Sequence, residues 1–81
     1  MKIHNRAFGK ALRDFRKAAN KTQEVLAFEA ELDRTYISLL ELGEASPTLD
    51  TTMALCAALN TTLTEFAVAI EIWIAELELN G

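Results

Sequence analysis

Eighty-one residues with 51% hydrophobic and 25% charged side chains, one proline and three glycines describe one small helix-prone domain, 1–81, and exclude a disordered or fibrous chain. A single cysteine, Cys56, and a single histidine, His4, exclude an internal disulfide framework and a multi-cysteine zinc site, and Cys-His or Ser-His-Asp catalysis would hang on one residue near a frayed terminus. The net charge of −4 is strongly segregated: seven cations stand against Asp14 in residues 1–22, a formal +6, while Arg34 alone stands against eleven acids in residues 23–81, a formal −10.

Such polarity fits an oriented encounter with a polyanion, and equally a solvated basic helix face. No stretch is apolar enough to span a bilayer, because Glu71 and Glu76 interrupt the greasiest one. The start lacks the pattern of a secretory signal, so a cytoplasmic, nucleoid-associated protein without membrane contact is expected.

Phe8, Leu12, Phe15 and Ala19 recur at i, i+4, i+7 and i+11, the stripe of a first amphipathic helix. Lys10, Arg13 and Lys17 form a second stripe facing away from that core side. Thr22 is placed to cap a second helix running through Leu26, Ala27 and Ala30. Leu32-Asp33 breaks it, and Asp33 caps a third helix through Tyr36, Ile37, Leu40 and Glu41, stopped by Gly43. The segment from Gly43 to Pro47 is a turn. Thr48 opens a fourth helix carrying Leu49, Met53, Cys56 and Leu59, which Asn60 ends.

Thr62 and Glu65 have the spacing of a capping box, so a fifth helix is expected from Leu63 to Leu79. Val68, Ile70, Ile72 and Ile74 alternate like a strand, but the interleaved alanines and glutamates and the capping box favour helix. The fold class is therefore all-α, with five helices.

A second helix, a tight turn and a third helix have the spacing of a helix-turn-helix. The stretch from Thr22 to Gly43 closely resembles the phage repressor and Cro family, and the resemblance extends from Phe8 to Phe66 through Ser46-Pro47-Thr48-Leu49 and Leu59 to Phe66. Within it, Asp33-Arg34-Thr35-Tyr36-Ile37-Ser38 looks especially like the controller proteins of restriction–modification systems, although that hexapeptide is shared with other bacterial members.

The resemblance implies a repressor-like fold that binds double-stranded DNA as a homodimer on a palindromic operator. Ala27 then sits where the two helices cross, and Ile37 and Leu40 bury the inner face of the third. Arg34, Thr35 and Ser38 project outward as base-reading residues, with the Arg34 fork matched to guanine O6 and N7. Gln23, Tyr36 and Lys17 are expected on the DNA backbone. Arg16 lies on the core side beside Leu12 and Phe15, where an unpaired guanidinium is costly, and the resemblance pairs it with Glu41. Three positions depart from the family: Glu31 stands where glycine is usual, Leu42 where arginine or asparagine is frequent, and Leu39 puts an apolar group on or near the DNA face, against a thymine methyl or over the core. Glu29, Glu31, Asp33 and Glu44 also bring negative charge near that surface.

Cys56 reads as a small core residue, His4 as a surface imidazole and Phe28 as rim packing. No acidic loop has calcium-binding spacing. No cofactor, metal or enzymatic activity is expected. The last helix carries more apolar surface than one core needs, with Phe66, Ile70, Trp73, Ile74 and Leu77 on one stripe and Val68, Ile72 and Leu79 off it. Val68, Ile72 and Trp73 are the expected dimer interface, ringed by Glu71, Glu76 and Glu78. Two other readings stand beside the regulator: an antitoxin whose last helix binds a toxin, and an acidic protein-interaction module that has lost DNA binding. RNA polymerase is a further partner if the protein activates.

Overall fold

Sequence punctuation accounts for where the second to fifth helices begin, whereas the first follows Lys2 without a side-chain cap. The computed structural model describes residues 2–80, and among them α1 spans Ile3–Ala18, α2 Gln23–Ala30, α3 Arg34–Glu41, α4 Leu49–Ala58 and α5 Leu63–Asn80, with no strand. The Thr22 hydroxyl accepts the Val25 N–H at 3.1 Å, the Asp33 carboxylate that of Thr35 at 2.9 Å and the Thr48 hydroxyl that of Thr51 at 3.0 Å. At α5 the exchange is reciprocal: the Glu65 N–H donates to the Thr62 hydroxyl and the Thr62 N–H to the Glu65 carboxylate, both at 3.0 Å. Each cap satisfies a donor that the helix itself cannot. Residues 68–74, which alternate like a strand, lie inside α5.

The first four helices stop in one way. Asn20, Glu31, Gly43 and Asn60 all have left-handed backbone, with φ between 54 and 77°. Each returns its N–H to the carbonyl three residues back, and the next residue reaches five back, as in Gly43 to Leu40 and Glu44 to Leu39. That pair of bonds closes a helix at a residue able to adopt positive φ. Glu31 does so without being glycine, at a cost of about 1–2 kcal/mol.

The core is built around Phe66 of α5, fully buried, whose ring meets Phe8 and Phe15 of α1 edge-on at centroid distances of 5.2 and 5.3 Å. Leu12, Leu26, Ile37, Leu40, Leu55 and Cys56 complete it, so every helix contributes. Further along α5, the Trp73 indole N–H donates to the Asp14 carboxylate at 2.8 Å, and Lys10 Nζ lies 5.2 Å from the centre of the Trp73 ring system. The amphipathic ring thus satisfies its polar end and attracts a cation with its face.

Several side chains sit differently from their sequence assignment. Ala19 is the exposed C-cap of α1, one residue past the helix, and Ala7 and Ala11 fill the core face instead. Leu49 and Met53 are exposed; α4 turns Thr52, Leu55 and Cys56 inward, with Leu59 just past its end. The buried Thr52 hydroxyl donates to the Thr48 carbonyl at 2.9 Å, so a polar group enters the core at no hydrogen-bond loss. Lys10 leaves the outward stripe for Trp73. His4 is an exposed residue inside α1, and Phe28 is 84% exposed on α2, with no rim to pack on.

Gly9 governs how α1 meets α3. A Cβ there would run into the backbone carbonyls of Leu40 and Glu41, the latter at 2.7 Å. Only glycine allows this approach, which sets the end of α3 directly against α1.

Candidate nucleic-acid interface

The paired helices α2 and α3 meet through small side chains, Ala27 and Ala30, both buried. Ile37 and Leu40, fully buried, fix one side of α3 to the core. The opposite arc follows from helical geometry. It carries Arg34 and Thr35, both exposed, then Ser38, half-buried, and then Leu39 and Leu42. Tyr36 lies round the helix from this arc, half-buried against the core. Lys17 is exposed near the end of α1.

Glu41 joins three helices at this surface. Its carboxylate accepts Arg16 Nε at 2.6 Å and Nη2 at 3.0 Å from α1, and Gln23 Nε2 at 3.0 Å from the first turn of α2. The third arm of the guanidinium, Nη1, donates to the Lys21 carbonyl at 2.9 Å. The ion-paired side chains are only 11% and 5% exposed. Hydrogen bonding to Glu41 raises the Arg16 pKa above the ordinary arginine value, against the opposing effect of burial, with the Glu41 charge adding to the rise. A bidentate pair of this kind fixes angle as well as distance, so the outward arc of α3 is held at a set orientation to α1 and α2.

Gln23, expected on the DNA backbone, is therefore tethered through one amide hydrogen, with the other free to donate outward. Two shallow depressions adjoin it. One, of about 500 Å³, is lined by Arg16, Thr22, Gln23, Glu24 and Arg34. The other, of about 260 Å³, is lined by Arg13, Arg16, Gln23, Ser38, Glu41 and Leu42. Guanidinium, amide and hydroxyl groups thus converge where α1, α2 and α3 come together.

The basic segment is less free than its composition suggests. Lys21 Nζ pairs with Glu29 at 2.6 Å and also donates to the Ala58 carbonyl at 2.7 Å, tying α2 and α4 to the α1–α2 loop. Arg16 is committed to Glu41 and Lys10 to Trp73. Arg13 and Arg34 are the exposed cations that line the depressions, and Lys17 is exposed one turn along α1 from Arg13.

Away from this face, Val68, Ile72, Ala75 and Leu79 form an outward row on α5 at i, i+4, i+7 and i+11, all exposed, with Leu79 at 83%. Val68 and Ile72 share this row, whereas Trp73 lies round the helix towards Asp14 and Lys10 of α1. Cys56 is buried, and burial pushes its thiol pKa up, away from the reactive thiolate. No group of three or more His, Cys, Asp or Glu side chains among the described residues is arranged to hold a metal ion.

Comparison with known proteins gives this surface a context. Residues 12–66 match the helix-turn-helix family. Control protein C.BamHI from Bacillus amyloliquefaciens is 48% identical over 44 residues, 53% of this chain and 54% of that protein, so the match spans about half the length of that relative. The crystal structure of the restriction–modification controller protein C.AhdI from Aeromonas hydrophila is 35% identical, covers 76% of this chain and 94% of its own, and superposes with a TM-score of 0.75. The controller protein C.Esp1396I, solved as a tetramer in complex with its natural 35 base-pair operator, shares the fold with a TM-score of 0.86 at 24% identity, over 93% of this chain and 99% of that one.

Proposed function

The chain belongs to the helix-turn-helix family, and from that premise we propose that it is a homodimeric, sequence-specific DNA-binding transcriptional regulator, a repressor or autoregulatory controller of the restriction–modification type that acts in the cytoplasm by covering a palindromic operator. The observation that carries this reading is the outward arc of α3, with Arg34 and Thr35 exposed beside Ser38 on a helix whose orientation Glu41 locks to α1 and α2. Arg34 stands at the N-terminus of α3, where a helix inserted into the major groove meets base edges, and its fork suits guanine. Thr35 offers a hydroxyl and a methyl to the neighbouring pair, and Ser38 a hydroxyl one turn on.

Phosphates are met by the first N–H groups of α2, the second amide hydrogen of Gln23, and the charges of Arg13 and Lys17. The Tyr36 hydroxyl adds a backbone contact at the edge of the arc. A second copy is recruited through the outward row of α5, Val68 and Ile72 foremost, with Trp73 stiffening the helix from its inner flank. Two-fold symmetry then presents two α3 helices to two half-sites. The reading is non-enzymatic, and each residue named at this surface is given a binding role.

Selection of bound sequences from random duplex DNA, followed by binding titrations on the selected operator and on scrambled DNA across a salt series, tests this. Arg34→Ala is expected to lose about 1–3 kcal/mol of discrimination at one base position per half-site. Lys17→Ala is expected to weaken both DNAs alike and to flatten the salt dependence by about one unit for each phosphate that Lys17 neutralises. An unmodified protein that selects no sequence overturns the proposal.

A further inference from the structure

The exposed arc of α3 changes character along its length. Its first turn presents Arg34 and Thr35, and its second presents Leu39, which keeps 36% of its surface uncovered. Thr35 and Leu39 are four residues apart, so they occupy one row of the helix surface. Leu42, 58% exposed, follows at i+7 at the end of that row, where it lines the depression with Arg13, Gln23 and Ser38. Leu39, one turn on from Thr35 and nearer than Leu42 to Arg34 in the chain, is the apolar group that continues the line of base-reading side chains.

We infer that Leu39 is a specificity-determining residue that reads the 5-methyl group of a thymine in each half-site, about two pairs from the guanine read by Arg34. This rests on the DNA-binding reading above. In the major groove a T·A pair presents a methyl group where a C·G pair presents an N4 amino donor. Leucine gives the methyl an apolar surface and gives the amino group no acceptor, so it favours the first and disfavours the second. Five residues separate Arg34 from Leu39, about 7.5 Å at the helical rise, which corresponds to about two base-pair steps. The half-site therefore holds a guanine and, about two pairs away, a thymine. The recognised feature is the methyl itself, so 5-methylcytosine at that position regains part of the binding that cytosine loses.

The experiment uses the full chain and its selected operator, with each thymine replaced in turn by deoxyuridine, which removes the methyl and nothing else. The unmodified protein is expected to lose about fourfold in affinity at one position per half-site, the effect of one buried methyl, with the salt slope unchanged because no charge is involved. Leu39→Ala should bind thymine and deoxyuridine equally there while keeping its guanine preference, and Leu39→Met, still apolar, should keep the methyl effect. The inference falls if the operator contains no such thymine, if the deoxyuridine penalty persists in Leu39→Ala, or if it is absent from the unmodified protein. Failure of the underlying reading looks different: no sequence is selected at all and Arg34→Ala changes nothing.

Discussion

The Glu41 carboxylate accepts three hydrogen bonds from two side chains on two other helices, and its replacement by glutamine discriminates between charge and shape. An amide has one acceptor oxygen, so whichever way it is turned, its NH₂ group faces an N–H of Arg16 or of Gln23. Glu41→Gln therefore keeps the volume but creates a donor–donor conflict and strands a guanidinium that is 11% exposed. The expected loss is about 3–5 kcal/mol, the usual result of removing one member of a buried pair. An 81-residue domain has about 4–12 kcal/mol of stability in all, so most of it is at stake. With a urea slope of about 1 kcal/mol per molar, the midpoint should fall by about 3 M or more in circular-dichroism melts. Replacing both partners, Arg16→Met with Glu41→Leu, should recover most of that loss, since a well-packed apolar pair is often neutral or better. The raised Arg16 pKa places the pair's stabilisation below the ordinary arginine range, to be lost only as pH rises through the folded value; a range of about pH 5 to 9 should leave it intact. A Glu41→Gln shift under about 0.5 kcal/mol, the size of an ordinary surface change, would refute the claim that this pair locks α3.

Gly9→Ala should destabilise by about 1–3 kcal/mol despite alanine's better helix propensity, because the new methyl meets fixed carbonyls of Leu40 and Glu41; urea melts that show a gain would overturn the close-approach argument. The backbone N–H of Thr62, helped by the hydroxyls of Thr62 and Thr61, holds the Glu65 carboxyl below the usual carboxylate range. Its contribution to the start of α5 is then present above that range and lost as pH falls through the depressed value, and an NMR titration should show the midpoint rising in Thr62→Ala. Ile72→Glu with Leu79→Glu should sediment as monomer with helicity retained, and an unmodified protein that is monomeric at several hundred micromolar would remove the α5 dimer from the proposal.

How much of this was legible in the sequence depended on the kind of signal. Helix starts were legible because Thr22, Asp33, Thr48 and Thr62 each use a short polar side chain on a neighbouring N–H, a local event that needs no knowledge of the fold. The inner face of α3 was legible because the resemblance and the i, i+3 spacing both place Ile37 and Leu40 there, as they are found. The inner face of α4 was not. Its sequence is apolar on several sides, so periodicity gives a spacing without a direction, and the neighbours of α4 select Thr52, Leu55 and Cys56 over Leu49 and Met53. Gly9 carried no signal, because what it permits is an approach by residues 31 and 32 positions away in the chain. Lys10 looked like a free charge, since a stripe of cations does not disclose Trp73.

The segregation of charge acquires a structural meaning from these partners. Three of the seven N-terminal cations, Lys10, Arg16 and Lys21, attach α1 and its following loop to α5, α3, α2 and α4. They act as fasteners; the Arg16 pair, largely out of solvent, depends on geometry more than on ionic strength, whereas the Lys21–Glu29 pair, 25% and 41% exposed, is open to screening. The exposed cations Arg13 and Lys17 lie on the same helix as these fasteners, and Arg34 sits on the helix that Arg16 orients. Four of the twelve acids lie on α5, where Glu71, Glu76 and Glu78 flank the row Val68–Ile72–Ala75–Leu79. An overall negative charge is therefore compatible with a cationic recognition face, because the field that a polyanion meets is set by the side presented to it. The same α1 that bears the exposed cations also packs on α5 through Phe8, Phe15, Lys10 and Asp14. A second copy held on the outer row of α5 would consequently fix the separation of two α1–α3 units through one continuous layer of packed side chains, which is the physical requirement for reading two half-sites at a set spacing.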